Sequence, residues 1–314
     1  MSQSLQSNGT MSEKNDFYSV HMYFSGDSDQ FLINCVFPLI NNLTFSKLID
    51  KYFFVRYNDN GKHIRLRLMP INEDRRFEMI NETRNNLILL YSQYKNAPDV
   101  GKFYYVNKAY YPEVKRYGGE TYIQHAEDFF YTSSVQVMEL LMKEQLPIQY
   151  SKKMGVAVLM HLIYFLKVTA NLNEVCDFFH FSMNNWIQYA CDSYRIPKEK
   201  VLEIYKERYL NSIDTYTDLV QVIFDFVINK NQSDVPEWCI EWENRVSGFS
   251  NLMNLLGVRE RKNFNNSPIL SWTISDSILH MTNNRLGLKN SDESFIYFLI
   301  KEALLNYVTS ASRK

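Results

Sequence analysis

A chain of 314 residues with 46% hydrophobic and 15% aromatic side chains can build one large domain or two modest ones. Its 34 basic and 35 acidic side chains leave a net charge of -1, so bulk electrostatics give no case for nucleic acid. The four scattered cysteines (Cys35, Cys176, Cys191, Cys239) lack C-x-x-C spacing and a histidine at ligand distance, which argues against a disulfide framework or a zinc site.

Residues 1–16 are polar, Ser/Asn-rich and without the apolar stretch of a signal peptide. They read as a disordered tail or an expression remnant, with Met11 a candidate start. FYSVHMYF at 17–24 reads as a first strand, ended by Ser25-Gly26-Asp27. Asp27 or Ser28 is placed to cap a helix over 29–43, with an apolar stripe of Phe31, Leu32, Cys35, Leu39 and Ile40. Residues 51–69, KYFFVRYNDNGKHIRLRLM, read as a hairpin: strand formers at 52–57, a turn at Asn58-Asp59-Asn60-Gly61, then strict alternation. Ile64, Leu66 and Leu68 face one way. His63, Arg65 and Arg67 face the other, and Arg56 ends the first strand nearby. Pro70 closes the hairpin, 72–96 reads as a second helix and 102–107 as a further strand.

This β-α-β-β-α-β order is the ferredoxin-like arrangement. Helices then cover one face of an antiparallel sheet, leaving the Arg65/Arg67 face to a neighbouring domain or a ligand. Beyond residue 110 the pattern turns helical, over 121–144, 151–167, 173–193, 198–210, 215–229, 236–256, 269–286 and 292–310. The predicted fold class is α+β, with an α/β part over 17–109 and a mostly helical part over 110–314. The most apolar run, 154–166, is shorter than the ~20 residues a membrane span needs. It reads as a buried helix, and the protein as soluble and cytoplasmic.

Three stretches carry candidate chemistry. The guanidinium forks of the hairpin suit bidentate capture of carboxylates or phosphates; the alternative is a solvated outer face. In YYPEVKRYGG (110–119), Glu113 and Arg116 share one face of a helical turn, and Gly118-Gly119 permits a sharp turn. Taken alone, that pair also reads as a surface ion pair worth ~0–1 kcal/mol. In LHMTNNRLGL (279–288), His280 lies in an apolar helix with Asn284 on the same face and Arg285 beside it. His21, His125, His161 and His180 read as satisfied structural residues. Walker, dinucleotide, serine-elbow and zincin motifs are absent, so those chemistries lack support.

FFVRYNDNGKHIRLRL, YYPEVKRYGG followed by Ala126-Glu127, and HMTNNRLG with Glu293 downstream occur in one order and spacing. Together they resemble the C-terminal, glutamate-eliminating domain of class I lanthipeptide dehydratases, in the free-standing form of thiopeptide-type bacteriocin pathways. The resemblance runs from about Phe17 to the C-terminus. It implies a lyase acting on a ribosomally made precursor peptide whose Ser or Thr hydroxyls have been glutamylated. A separate protein using glutamyl-tRNA supplies the glutamylation, and this domain expels glutamate to leave dehydroalanine or dehydrobutyrine. The implied catalytic residues are His280, Arg67, Arg116 and Glu113; the implied substrate-binding residues are Arg65, Arg56, His63 and Arg285. The arginines bind the leaving group, Glu113 orients Arg116, and His280 serves as general acid/base. No cofactor, metal, membrane or direct nucleic-acid contact is implied, and a homodimer is left open. One departure is Ser133-Ser134, where the family carries Asp-Ser. Another is the missing glutamylating domain.

The rival readings are a thiopeptide pyridine synthase and a non-catalytic scaffold. The first joins two dehydroalanines by a formal 4+2 aza-cycloaddition with release of the leader peptide, and needs no glutamate-binding set. The second holds the precursor peptide, with 17–24 as an edge strand for strand addition. The elimination reading predicts that Arg65, Arg67, Arg116 and His280 converge on one pocket between the sheet and the helical part.

Overall fold

Apolar residues every second position along β1 (Tyr18–Tyr23), β2 (Ile49–Tyr57) and β3 (His63–Pro70) give a sheet one dry face. In this computed structural model, which describes residues 17–94, 103–144, 148–263 and 269–311, those strands and β4 (Tyr104–Asn107) form one antiparallel sheet. The predicted tail at 1–16, Lys102 and residues 95–96 lie outside the described residues. The strand order β2-β3-β1-β4 is that of the ferredoxin-like fold. Between β2 and β3, Asn60 (φ 56°) and Gly61 (φ 107°) take the left-handed conformations that a tight return requires.

The dry face carries Val20, Met22, Phe54, Ile64, Leu66 and Leu68, all fully buried. The first helix joins their cluster through Leu32, Leu39 and Leu43, and the second through Met79 and Leu87. Asp27 caps that first helix by accepting from the backbone N–H groups of Asp29 and Gln30. The helix is broken into α1 (Ser28–Phe31), a π turn at Leu32–Val36 and α2 (Phe37–Phe45). Pro38 has no N–H to give the helical ladder, and the widened turn lies just before it. The second helix is α3 (Arg76–Tyr94).

The strand reading of 17–24 holds, but β1 is not an edge. It lies between β3 and β4 and pairs with both, so strand addition along it is sterically closed.

Among the described residues eight helices follow: α4 (Ile123–Glu144), α5 (Tyr150–Val168), α6 (Leu172–Tyr194), α7 (Lys198–Leu210), α8 (Ile213–Asn229), α9 (Glu237–Asn263), α10 (Ile269–Leu286) and α11 (Asn290–Ala311). The predicted stop at 256 is overrun in α9, because Gly257 takes no left-handed turn. Gly287 does (φ 81°), and there α10 ends. No helix among the described residues is long and apolar enough to cross a membrane.

The outer edge of β2 is sealed by side chains of α4 and α10. Phe54 N–H donates to Ser134 Oγ (3.2 Å) and Arg56 N–H to Asn284 Oδ1 (2.8 Å), while Asn284 Nδ2 returns a bond to Arg56 C=O (2.8 Å). These bonds satisfy an edge that would otherwise leave buried backbone groups unpaired. They also fix α10 against the sheet, and so fix where His280 stands.

Candidate active site

The period that buries Leu66 and Leu68 sends Arg65 and Arg67 to the opposite face, where Val55 and Phe53 lie across from them on β2. The segment from Lys108 to Tyr117 and the middle of α10 close over that face. The resulting open cavity is about 880 Å³, and Arg65, Arg67, Glu113, Arg116 and His280 all line it. The predicted convergence of Arg65, Arg67, Arg116 and His280 is what the structure shows.

Arg67 is 7% exposed and has no carboxylate partner among the described residues. Its Nη1 donates a long bond to Leu66 C=O (3.4 Å), Nη2 lies 3.4 Å from His21 Nε2, and Nε has no partner. The Tyr110 ring sits 5.3 Å away. Burial pulls its pKa down to about 10, which leaves it charged at neutral pH. An unneutralised buried cation is costly unless something anionic joins it.

Arg65 is held differently. Nε donates to His63 Nε2 (3.1 Å), Nη2 reaches the exposed Asp59 (3.0 Å), and the guanidinium lies 3.3 Å over the Tyr57 ring. His63 gives its Nδ1–H to Gly61 C=O (2.8 Å), so Nε2 is the acceptor facing Arg65. The ring is buried and does not line the cavity. His63 was expected to contact substrate; the structure instead places its ring under Arg65, away from the cavity.

Arg116 pairs with Glu113 (3.1 Å) and donates from Nε to Ser277 Oγ of α10 (3.2 Å). The two lie on an isolated turn rather than in a longer helix, closed by Gly118 and Gly119 (φ 83° and 90°). A Cβ on Gly118 would stand 2.7 Å from Ile274 Cδ1, so the glycine lets this turn seat on α10.

His280 lies 2.8 Å from Glu293 Oε1 through Nδ1, and its ring stacks on Trp186 at 4.2 Å. Glu293 is fully buried and also accepts from Asn283 Nδ2 (3.1 Å) and Tyr297 OH (3.4 Å). Trp186 is pinned through Nε1 to Asp276 (3.1 Å), whose own pKa burial raises to about 6. With Nδ1 committed, Nε2 is the nitrogen left to the cavity. A histidine oriented by a carboxylate is suited to receive a proton.

Two other expected substrate ligands make most of their bonds within the fold, and Nη2 of each is without a partner among the described residues. Arg285 is fully buried and does not line the cavity; Nε donates to Ser134 Oγ (2.9 Å) and Nη1 to Met281 C=O (2.9 Å). Arg56 borders the cavity, yet Nη1 donates to Asp29 (2.7 Å) and Nε to Arg285 C=O (2.8 Å). Asp29 also pairs with Lys153 (2.7 Å). Both arginines join sheet to helices. At the Ser133-Ser134 departure, Ser133 donates to Phe129 C=O (2.9 Å), and Ser134 bridges β2 and Arg285.

The sequence reading missed His21, Lys108, Tyr110 and Tyr117, which line the cavity, and Trp186, which backs His280. His21 had a signal, since it lies on the same alternation of β1 as Ser19 and Tyr23. Trp186, on a remote helix, had none.

A ferredoxin-like sheet whose open face meets a helical layer around a cluster of guanidiniums and the His280–Glu293 pair defines the architecture. Residues 18–304 match the lantibiotic biosynthesis dehydratase C-term family, and the chain belongs to it. Over 135 residues it is 28% identical to the epidermin biosynthesis protein EpiB of Staphylococcus epidermidis, which is 41% of this chain but 12% of that protein. The fold resembles that of the pyridine synthase TbtD from thiomuracin biosynthesis, with a TM-score of 0.66 at 11% identity, covering 94% of this chain and 99% of that one. For TsrL the values are 0.65 and 14%, covering 93% and 96%. The tRNA-dependent lantibiotic dehydratase MibB from Microbispora sp. 107891 gives 0.61 at 16%, covering 98% of this chain and 29% of MibB. At such identities the likeness is one of fold, and the chain spans under a third of MibB.

Proposed function

We propose that the protein eliminates glutamate from glutamylated Ser or Thr residues of a precursor peptide, leaving dehydroalanine or dehydrobutyrine. The observation that carries this reading is Arg67, a buried guanidinium with no counter-charge among the described residues, on the wall of a cavity that also holds Arg65, Arg116 and His280.

An amino acid carried on tRNA is bound through its α-carboxyl, so the adduct is an α-ester with the glutamate γ-carboxylate free. In the elimination, His280 Nε2 takes the Cα proton of the esterified residue. The Cα–H electrons form the Cα=Cβ bond, the Cβ–O bond breaks, and its pair leaves on the glutamate α-carboxylate. The products are the dehydro residue, glutamate and an imidazolium stabilised by Glu293. Two anionic centres, one fixed and one developing, call for more than one guanidinium. Arg67 and Arg116 serve them, with Arg65 beside them. The reading presupposes a preceding glutamylation step that uses glutamyl-tRNA.

Mass spectrometry of a glutamylated Ser/Thr peptide incubated with the purified protein tests this. The expected result is loss of one glutamate per site, abolished in Arg116→Ala; adducts that persist with the wild type would overturn it. A second reading, pyridine synthesis, is favoured by the overlap with the pyridine synthase TbtD, which covers almost the whole of that chain. It leaves Arg67 without an anionic partner. A dehydroalanine-bearing peptide that cyclises and sheds its leader in the same assay would decide for it.

A further inference from the structure

His21 was read from sequence as a satisfied structural residue, and the structure places it otherwise. It lies on β1 opposite Arg65, is 4% exposed, and lines the cavity beside Arg67. Nε2 is 3.4 Å from Arg67 Nη2, while Nδ1 has no partner among the described residues. A guanidinium N–H can only donate, so Nε2 carries the lone pair and Nδ1 the proton.

We infer that His21 is a positioning residue, a neutral acceptor that orients the Arg67 guanidinium toward the anionic group of the substrate without cancelling its charge. A buried arginine ordinarily takes its orientation from a carboxylate, which would neutralise the cation before an anionic ligand arrives. An imidazole supplies the acceptor and leaves the full charge available. The neighbouring arginine uses the same device, since His63 Nε2 accepts from Arg65 Nε, although Arg65 also has Asp59. Burial, then Arg67, Arg65, His63 and Lys108, hold the His21 pKa down at about 3, so the ring stays neutral at working pH.

The inference rests on the elimination reading for its ligand, so the test carries a readout that does not. Crystal structures of the wild type, His21→Leu and His21→Gln report the Arg67 guanidinium position, and calorimetry with L-glutamate reports affinity in each variant and in His21→Glu. In His21→Leu the guanidinium is expected to leave its place and the affinity to fall roughly tenfold. His21→Gln keeps a neutral acceptor and is expected to hold Arg67 in place, within about threefold of the wild-type affinity. His21→Glu keeps an acceptor but adds a charge, and is expected to lose more than His21→Leu. In turnover these losses fall on KM rather than kcat. An unmoved Arg67 in His21→Leu, or equal affinities for His21→Gln and His21→Glu, overturns the inference; the second comparison stands even if His21→Leu does not fold. If Arg67 moves as expected while the wild type binds no L-glutamate, the positioning role holds and the elimination reading falls.

Discussion

The open face of the hairpin and the sealed edge of β2 hold the same kinds of side chain and use them in opposite ways. At the edge, Arg56, Ser134, Asn284 and Arg285 bond to each other, to Asp29 and to backbone, and only Nη2 of each arginine is left without a partner among the described residues. On the open face, Arg67 has one long bond to a carbonyl, one long contact to a neutral ring, and no counter-charge among the described residues. A polar group that is already paired holds the fold together. One that is buried, short of partners and set on a cavity wall, as Arg67 is, can still meet a ligand. The difference lies in the partner inventory, not in residue type.

The comparison breaks most visibly at Arg67. Arg67→Met removes a buried, uncompensated cation, so the melting temperature is expected to stay level or rise while kcat/KM for elimination falls by roughly 10²-fold or more. Differential scanning calorimetry alongside the peptide assay reads both. A variant that unfolds instead would mean that Arg67 is structural.

The edge should respond in the reverse sense. Ser134→Ala strands Phe54 N–H and Arg285 Nε together, at a cost of about 2–3 kcal/mol in urea unfolding. Turnover per folded molecule is expected to stay within about threefold of wild type, because Ser134 does not line the cavity. Unchanged stability would show that the edge is held by apolar packing alone.

The fold was largely legible in the chain because it rests on period. The alternation Ile64, Leu66, Leu68 gave β3 its dry face, and Asn60-Gly61 gave the return. The order of elements then implied the ferredoxin-like arrangement. Strand order is a different matter: β1 reads as a strand from its own residues, but only pairing with β3 and β4 makes it central. At the site, Arg65, Arg67, Arg116, Glu113 and His280 meet as the motifs suggested. Arg285 was expected to join them and does not, and Arg56 reaches the cavity only while bonded to Asp29; an arginine's role is set by what surrounds it, and Ser134 and Asp29 are 151 and 27 residues away along the chain. Trp186 was invisible for the same reason. Nothing local in α6 says that its ring lies on His280.

A second pairing sharpens the comparison through pH. His161 is fully buried and bonded to Asn283 (2.7 Å), and burial lowers its pKa from 6.5 to about 4. Below pH 6.5 the unfolded chain takes up a proton that the native ring refuses, so stability falls as pH drops from about 6.5 toward 4. The loss comes to about 2 kcal/mol at pH 5. His21 acts in the same direction. Asp276, with its pKa raised to about 6, binds a proton more readily when folded and offsets part of the loss. Unfolding at pH 7, 6 and 5 should show the decline, and His161→Gln should flatten it.

The smallest effect expected lies within the open face itself, where Arg65 and Arg67 differ by one exposed carboxylate. Asp59 is half exposed and 3.0 Å from Arg65 Nη2, in a setting where solvent screening limits the pair to about 0–1 kcal/mol. Asp59→Asn should therefore change stability by less than that. If Arg65 contributes its charge to a bound anion, Asp59 competes for it, and removing that charge should lower KM by about two- to threefold at low salt, with the gain lost at high salt. A rise in KM would assign Asp59 the opposite part. It would then be the residue that holds Arg65 over the Tyr57 ring, and the hairpin would need a carboxylate for one arginine where it uses a neutral imidazole for the other.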